Sequence, residues 1–402
     1  SLVFPANIAP TIVSKFPLIN LNIPITISII YLNLIKLNDY QMNQGTKLRL
    51  TIHNILYDVY NKNKNLDNLS IKKIINNHSR RDISFIYNIC LNSMRYNFHT
   101  KKIMDLYVKK NLKVHNFLLL NSAITQIVYL GIKEYAVINS SVNLAKKLNI
   151  YHGFINSLLR KIAANKDKLK KINIEYSLLP NWFISNTKNF NQLDKKFFLN
   201  RFTDEPSLHL VFKNTDKLKS FNKDIYKTSD VSGFIKEKVT LEELSSFKNG
   251  DFWVQDFSSS MPLNNTIDEM MKSKSLDMCS APGGKTFQML SKNIKVVSND
   301  KSRRRLSILN SNLKRLNLKG EIKNKNVLEL NNEEKYDFIV LDAPCSAVGT
   351  IRRNPEIFYR NSEPDLEKLI NLQEKMLEKA SALVNSKGII LYMVCSFLEK
   401  ET

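Results

Sequence analysis

The spacing of apolar residues changes once along this chain, near Ser275, and that change restricts the fold more than any other feature. Before it, the pattern is helical. Leu48, Ile52, Ile55, Leu56 and Val59 recur at steps of three and four, as one buried helix face requires. Ile83, Ile86, Ile89, Cys90 and Met94 repeat the pattern behind Ser79, an N-cap candidate. Further helical stretches run near 113–130, 134–148 and 152–164, with breaks at Gly131 and in the turn 149–153. No alternating strand pattern interrupts them, so this region reads as an all-α bundle. After Ser275 the chain alternates short apolar strands with helices. Ser275–Met278, Lys295–Asn299, Tyr336–Leu341 and Gly388–Val394 lack polar alternation, as strands of a parallel sheet buried on both faces do. A weaker strand at Lys319–Ile322 is third in chain order. Helices at Thr286–Lys292, Arg303–Leu316 and Pro364–Val384 separate them, which predicts a doubly wound, Rossmann-like α/β sheet.

The residues between are mixed. Ser207–Phe212 and Phe252–Gln255 read as strands, and Leu179-Pro180-Asn181-Trp182 reads as a turn or a short helix start. The expected organisation is therefore an α plus α/β multidomain chain. Residues 42–168 form the helical domain, 169–250 a small α+β bridging subdomain, and 251–402 the α/β domain. Residues 1–41 do not fit this scheme. Phe16–Ile35 carries no charge, but Pro17, Pro24, Asn20, Asn22 and Asn33 argue against a membrane-spanning helix. We read 1–41 as a mis-called upstream extension or leader, with Met42 as the natural start.

Lys and Arg number 60 against 37 Asp and Glu, a net charge of +23, which points to a polyanionic partner, most simply nucleic acid. A Lys-, Asn- and Ile-rich composition from an A+T-rich genome is the competing explanation for the lysines, although it does not account for paired arginines. Four cysteines in 402 residues exclude a disulfide scaffold, and none has C-x-x-C metal spacing. Free thiols in a reducing cytoplasm are expected.

The chemistry concentrates at strand ends, where open α/β sheets bind ligands. The first strand runs into Asp277-Met278-Cys279-Ser280-Ala281-Pro282-Gly283-Gly284-Lys285-Thr286. Its glycines permit close backbone approach, and the helix that follows presents free N–H groups. The pattern is neither G-x-G-x-x-G nor a Walker A loop, which argues against a dinucleotide or nucleoside triphosphate. The second strand ends in Asp300, suited to two ribose hydroxyls. The fourth ends in Asp342-Ala343-Pro344-Cys345-Ser346, and Arg352-Arg353 follows soon after. The fifth ends in Cys395-Ser396, so two thiols face one crevice, a placement that favours chemistry over packing.

With those residues in place, the α/β region resembles the Sun/Fmu (RsmB) family of RNA cytosine-5 methyltransferases. The resemblance rests on D-M-C-S-A-P-G-G-K-T, S-N-D, L-D-A-P-C-S-A-V-G-T-I-R-R-N-P-E-I and V-C-S-F-L-E-K-E. The helical region resembles the NusB-like RNA-binding bundle in R-R-D-I-S-F-I, I-V-Y-L-G-I, A-V-I-N-S-S-V-N-L-A-K and F-I-N-S-L-L-R-K, in that order. By this resemblance the cofactor is S-adenosylmethionine, held by Cys279, Ser280, Ala281, Pro282, Gly283, Gly284, Lys285, Asp300, Asn326 and Asp342. Cys395 is the implied nucleophile, Cys345 the thiol that aids product release, and Asp342 and Lys285 complete the catalytic set. Arg352 and Arg353 are read as holding the RNA backbone. The implied substrate is a cytosine of 16S ribosomal RNA, with tRNA or a non-catalytic RNA-binding role as alternatives. A monomeric cytoplasmic protein without metal or membrane partner is expected.

Three departures from the family pattern stand out. Asn326 replaces an acidic residue after the third strand, Ser280 replaces the commoner Ala, and the sequence stops seven residues past Cys395. An amide still accepts hydrogen bonds, so Asn326 is expected to weaken cofactor binding by roughly 1 kcal/mol. The early stop leads us to expect a C-terminally incomplete sheet with an unpaired edge.

Overall fold

The computed structural model of the chain describes residues 43–67, 69–237, 239–270 and 274–402. The expected extension at 1–41 and the start at Met42 lie outside the described residues.

Eight helices come first: α1 (Gln44–Lys62), α2 (Leu69–Asn76), α3 (Arg80–Arg95), α4 (Asn97–Tyr107), α5 (Val114–Ile124), α6 (Glu134–Lys147), α7 (His152–Ala164) and the single turn α8 (Lys166–Leu169). Ser79 caps α3 as its sequence suggests, its side chain accepting from the Asp82 N–H. The helix expected over 113–130 is not uniform. After Ile124 the chain widens into a π-helical turn at Thr125–Tyr129. There the buried Thr125 hydroxyl and Gln126 amide donate to the carbonyls of Asn121 and Ser122.

Next come α9 (Asn181–Asn186), which starts directly after Pro180, and α10 (Gln192–Arg201). A four-stranded antiparallel sheet follows, built from β1 (His209–Phe212), β2 (Ile225–Ser229), β3 (Ser232–Ile235) and β4 (Phe252–Val254) in the order β2-β3-β1-β4. Helices α11 (Thr215–Lys219) and α12 (Ser245–Lys248) lie in its connections. β2 and β3 were not expected from sequence. β2 is a half-exposed edge with Lys-Thr-Ser at its end, so it shows no apolar alternation.

Helix α13 (Phe257–Met270) leads into the second sheet, β5 (Lys274–Asp277), β6 (Lys295–Asn299), β7 (Glu321–Lys323), β8 (Tyr336–Asp342) and β9 (Val384–Met393). All pairings are parallel and the order is β7-β6-β5-β8-β9, the doubly wound arrangement with its crossover between β5 and β8. β9 begins at Val384, earlier than expected, because an irregularity opposite Tyr336–Phe338 takes up the polar residues 385–388. Helices α14 (Gly284–Ser291) and α15 (Arg303–Leu316) pack on one face, around Phe287, Leu309, Val296 and Val340. Helix α17 (Leu366–Leu383) covers the other through Met376, Ala380 and Leu383 against Leu276, Ile339 and Leu341. Short α16 (Glu356–Tyr359) lies between β8 and α17.

The segment after β8 ties these parts together. Ile351 and Phe358 enter an aromatic cluster with Phe183 and Phe202 of the bridging region. Tyr359, only 1 % exposed, enters the core of the helical bundle beside Cys90 and Ile86. The loop that carries Cys345 is thus clamped by burial on both sides.

Candidate active site

The loop after β5 is held at each step. Asp277 is buried and accepts a 2.7 Å hydrogen bond from the Thr286 hydroxyl, which also meets Ser298 Oγ at 3.1 Å. Burial pushes the Asp277 carboxyl up to about 7. Both the N–H and the hydroxyl of Ser280 donate to the Asn299 carbonyl, at 2.9 and 3.1 Å, locking this loop to the end of β6. Gly283 has φ +122°, and a Cβ there would lie 2.1 Å from the Phe287 ring. Only glycine fits that turn. It leads straight into the N-terminus of α14.

Asp300 sits at the end of β6, 4 % exposed. One carboxylate oxygen accepts from the Ser302 N–H at 2.8 Å, and the other from the Ala281 N–H at 3.3 Å. Arg305 pairs with it at 3.6 Å and also donates to the Ala281 carbonyl, a contact the sequence did not suggest. Cys279, Asp300, Asn326, Asp342, Cys345 and Cys395 all line one crevice of about 250 Å³. Val327, Leu372 and Met376 supply its apolar wall. Asn326 is exposed at its rim, accepting from the Leu328 N–H at 3.3 Å. Burial raises the Cys279 thiol to about 12, which disfavours its thiolate.

Lys285, on the first turn of α14, reaches across to β8. Its ammonium donates to Asp342 at 2.6 Å and to Ser259 Oγ at 3.0 Å. Its side chain is 9 % exposed against 35 % for Asp342, so the carboxylate keeps a face toward the crevice.

The two strand-end thiols converge. Cys345 and Cys395 sulfurs are 3.3 Å apart. That hydrogen bond, together with burial, raises the Cys345 thiol, and the same bond lowers Cys395. In this contact the more exposed Cys395 is the better thiolate of the two. Gly349 closes the loop on them: its N–H donates to the Cys395 carbonyl at 3.0 Å, and a Cβ would sit 2.9 Å from that oxygen. Ala347 adopts φ 60°, a left-handed conformation rare for a residue with a Cβ.

Glu401 and Ser346, outside the expected set, also enter. Glu401 is 3 % exposed and accepts from the Ser346 N–H at 2.8 Å and from the Ser346 hydroxyl. In sequence it is one acidic residue among others near a strand end, and nothing marks it as buried. Arg352 and Arg353 have protein partners: Arg352 donates to the carbonyls of Asp204 and Glu205, both at 3.3 Å, and Arg353 pairs with Asp256 at 2.8 Å.

Comparison with known proteins finds two matching segments. Residues 264–402 match the family model for the 16S rRNA methyltransferase RsmB/F, and residues 46–164 match that of the NusB family. The chain is similar to the RsmB/F methyltransferases in its α/β region. It is 27% identical to the probable ribosomal RNA small subunit methyltransferase B of Coxiella burnetii over 359 residues, covering 80% of this chain and 81% of that one. Identity to ribosomal RNA small subunit methyltransferase B of Vibrio vulnificus is 26%, over 88% of each chain. Among solved structures, that of PH0851 superposes with a TM-score of 0.66 at 19% identity, covering 90% of this chain and 88% of that one, and shows the shared fold.

The likeness to the RsmB/F methyltransferases supports S-adenosylmethionine as the cofactor and RNA as the substrate. The crevice fits that cofactor: it offers an apolar wall for a base and a buried carboxylate at the end of β6 for a ribose, whereas Gly283, whose missing Cβ makes room for Phe287, is not among its lining residues. Among the described residues, no group of three His, Cys, Asp or Glu could hold a metal ion, and no helix is long and apolar enough to cross a membrane.

Proposed function

We propose that the chain methylates carbon 5 of a cytosine in 16S ribosomal RNA through a covalent bond between Cys395 and the base. The observation that carries this reading is the pair of sulfurs 3.3 Å apart at the mouth of the cofactor crevice. Transfer to an oxygen or an exocyclic nitrogen needs no thiol, whereas carbon 5 is a poor nucleophile until a thiolate adds to carbon 6. The names of the relatives, ribosomal RNA small subunit methyltransferase B, support the substrate.

In this reading Cys279, Ser280, Ala281, Pro282, Gly283, Gly284, Lys285, Asp300, Asn326 and Asp342 hold the cofactor. S-adenosylmethionine supplies an electrophilic methyl group. The target cytosine leaves its stack and enters beside Asp342, whose free face holds the ring nitrogen and amino edge. Lys285 keeps that carboxylate oriented. Cys395, the favoured thiolate, adds to carbon 6 and makes carbon 5 nucleophilic.

Once the Cys395 sulfur is bonded to carbon, it is no longer an anion beside Cys345. The contact that most raises the Cys345 thiol is then lost, and Cys345 gives up its proton to solvent. The Cys345 thiolate next takes the proton from carbon 5. The C–H electron pair reforms the 5,6 double bond, and Cys395 departs as a thiolate. The contact between the sulfurs thereby orders the two thiols in time. Arg352 and Arg353 hold the RNA backbone where it passes the loop after β8. A soluble monomer in the cytoplasm remains our expectation for the setting.

The test is a trapping assay. The Cys345→Ala variant, mixed with 16S rRNA and S-adenosylmethionine, is expected to accumulate an RNA–protein adduct that survives SDS. Adding Cys395→Ala should abolish it. An enzyme that methylates carbon 5 with no adduct in Cys345→Ala, or with Cys395→Ala fully active, overturns the reading.

A further inference from the structure

Each of the two thiol cysteines is followed by serine, and the serines meet as the cysteines do. Ser346 Oγ lies 3.2 Å from Ser396 Oγ, behind sulfurs 3.3 Å apart. The buried Glu401 carboxylate gathers this arrangement. One oxygen takes the Ser346 N–H at 2.8 Å and the Gln373 side-chain amide at 3.2 Å, and the other takes the Ser346 hydroxyl. The Gln373 amide, on α17, also donates to the Pro344 carbonyl at 3.0 Å, just before Cys345. Tyr392, on β9, donates to the Glu401 carbonyl at 3.3 Å and to Gln373 Oε1 at 3.4 Å. The loop after β8, the loop after β9 and helix α17 thus share one buried polar network.

Such a network is expensive to bury unless its members are satisfied, and each donor named here has its acceptor. The side chains of Ser346, Ser396, Glu401 and Gln373 lie behind the cofactor crevice and are absent from its lining, whereas Pro344, Cys345 and Cys395 belong to it. Its geometric effect falls on the sulfurs. Without it, the loop holding Ala347 in a left-handed conformation loses its hydrogen-bonded anchor one residue from Cys345.

We infer that Ser346, Ser396, Glu401 and Gln373 form a clasp that sets the placement of Cys345 relative to Cys395, and so controls release of the methylated base. The inference rests on the two-thiol reading above. The clasp residues are positioning residues, since none of them reaches the reacting atoms. The step they govern is the elimination: the Cys345 thiolate takes the carbon 5 proton, the C–H electron pair becomes the carbon 5–carbon 6 double bond, and the carbon 6–sulfur bond breaks to return the Cys395 thiolate. Addition of Cys395 to carbon 6 makes less demand on Cys345, so loosening the clasp slows release more than attack. Misplacement on the scale of 1 Å is enough for about a 100-fold effect.

The experiment uses the full chain with 16S rRNA and S-adenosylmethionine, comparing Ser346→Ala, Ser346→Thr and Glu401→Gln with Cys345→Ala as the control. Ser346→Ala is expected to form the SDS-resistant adduct, as Cys345→Ala does. Its multiple-turnover rate should fall by about 100-fold while KM for RNA stays within about twofold. Ser346→Thr, which restores the hydroxyl, should recover most of the rate, and Glu401→Gln should fall between. Ser346→Ala turning over at the wild-type rate, or losing activity without adduct while Cys345→Ala still traps, overturns the inference.

A second measurement needs no methyl transfer. Diamide should oxidise the Cys345–Cys395 thiol pair to a disulfide, itself becoming the hydrazine, faster in the wild-type protein than in Ser346→Ala or Glu401→Gln. Equal rates in all three overturn the clasp whatever the reaction proves to be. A failure of Cys345→Ala to trap, with the rate difference intact, removes the two-thiol mechanism and leaves the clasp standing.

Discussion

The sulfur of Cys345 lies 3.3 Å from that of Cys395, although 50 residues separate them in sequence. Each thiol leaves the end of one of two neighbouring parallel strands, β8 and β9. Because of their hydrogen bond, Cys395 ionises more easily than an ordinary thiol and Cys345 less easily. Alkylation by iodoacetamide should therefore modify Cys395 first. In Cys345→Ala the hydrogen bond that favours the Cys395 thiolate is gone, so the midpoint of its pH–rate curve moves up. A midpoint unchanged by the substitution would show that the contact does not activate Cys395.

Lys285 and Asp342 are unequally buried partners, 9 % and 35 % exposed at the side chain. Removing the carboxylate strands the more buried charge, so Asp342→Asn should destabilise the protein more than Lys285→Met. Because Asp342 is partly solvated, we expect about 1–2 kcal/mol for Lys285→Met, below the full penalty of a buried pair. Urea denaturation of both variants checks the order, and the reverse order would contradict this assignment of burial.

Gly283→Ala should fail twice. Its φ of +122° disfavours any L side chain, and the new methyl would meet the Phe287 ring. A loss of about 1–3 kcal/mol in stability is expected, together with weaker S-adenosylmethionine binding by calorimetry. Unchanged binding would mean that the turn does not shape the cofactor site.

Tyr359 joins the loop that follows Cys345 to the helical bundle. Truncation to Ala should cost about 3–5 kcal/mol, as for other large buried aromatic residues. Its hydroxyl is buried without a hydrogen-bond partner among the described residues, so Tyr359→Phe should be neutral or stabilising. Thermal melts of the two variants separate packing from polarity, and a destabilised Tyr359→Phe would argue for a partner to that hydroxyl.

His99 lies against Phe202 and Tyr129, and burial lowers it to about 4. An unfolded chain takes up a proton near pH 6.5, whereas the folded ring resists until about 4. Stability at this residue is therefore full above pH 6.5 and declines as pH falls toward 4, by up to about 3 kcal/mol. His99→Phe should flatten that part of the stability–pH profile, measured by denaturation at pH 7, 5.5 and 4.5. An equally steep profile in the variant would place the acid sensitivity elsewhere, with His53, also lowered to about 4, the next residue to test.

Much of the catalytic fold was legible because its signals are local. The strand at 336–342 holds the apolar run Phe338–Leu341, that at 295–299 is centred on Val296 and Val297, and α15 has the bounds its periodicity predicts, Arg303–Leu316. β2 and β3 were not legible, since an exposed edge strand needs no apolar face and displays none. The irregular start of β9 was missed for a related reason: Asn385, Ser386, Lys387 and Gly388 read as a loop, and only pairing with β8 draws them into the strand.

The sequence by itself determined which residues stand at the strand ends, because a parallel sheet presents those ends on one edge and its strands are visible as apolar runs. It therefore identified Cys279, Asp300, Asp342, Cys345 and Cys395 as candidates. Their mutual distances were decided only by tertiary structure. Contact between the sulfurs depends on the relative register of β8 and β9. The burial of Glu401 depends on α17 and β9 closing over it, and the place of Tyr359 depends on the helical bundle having a cavity to receive it. Those are properties of packing between segments distant in the chain, and local hydrophobic period carries no information about them.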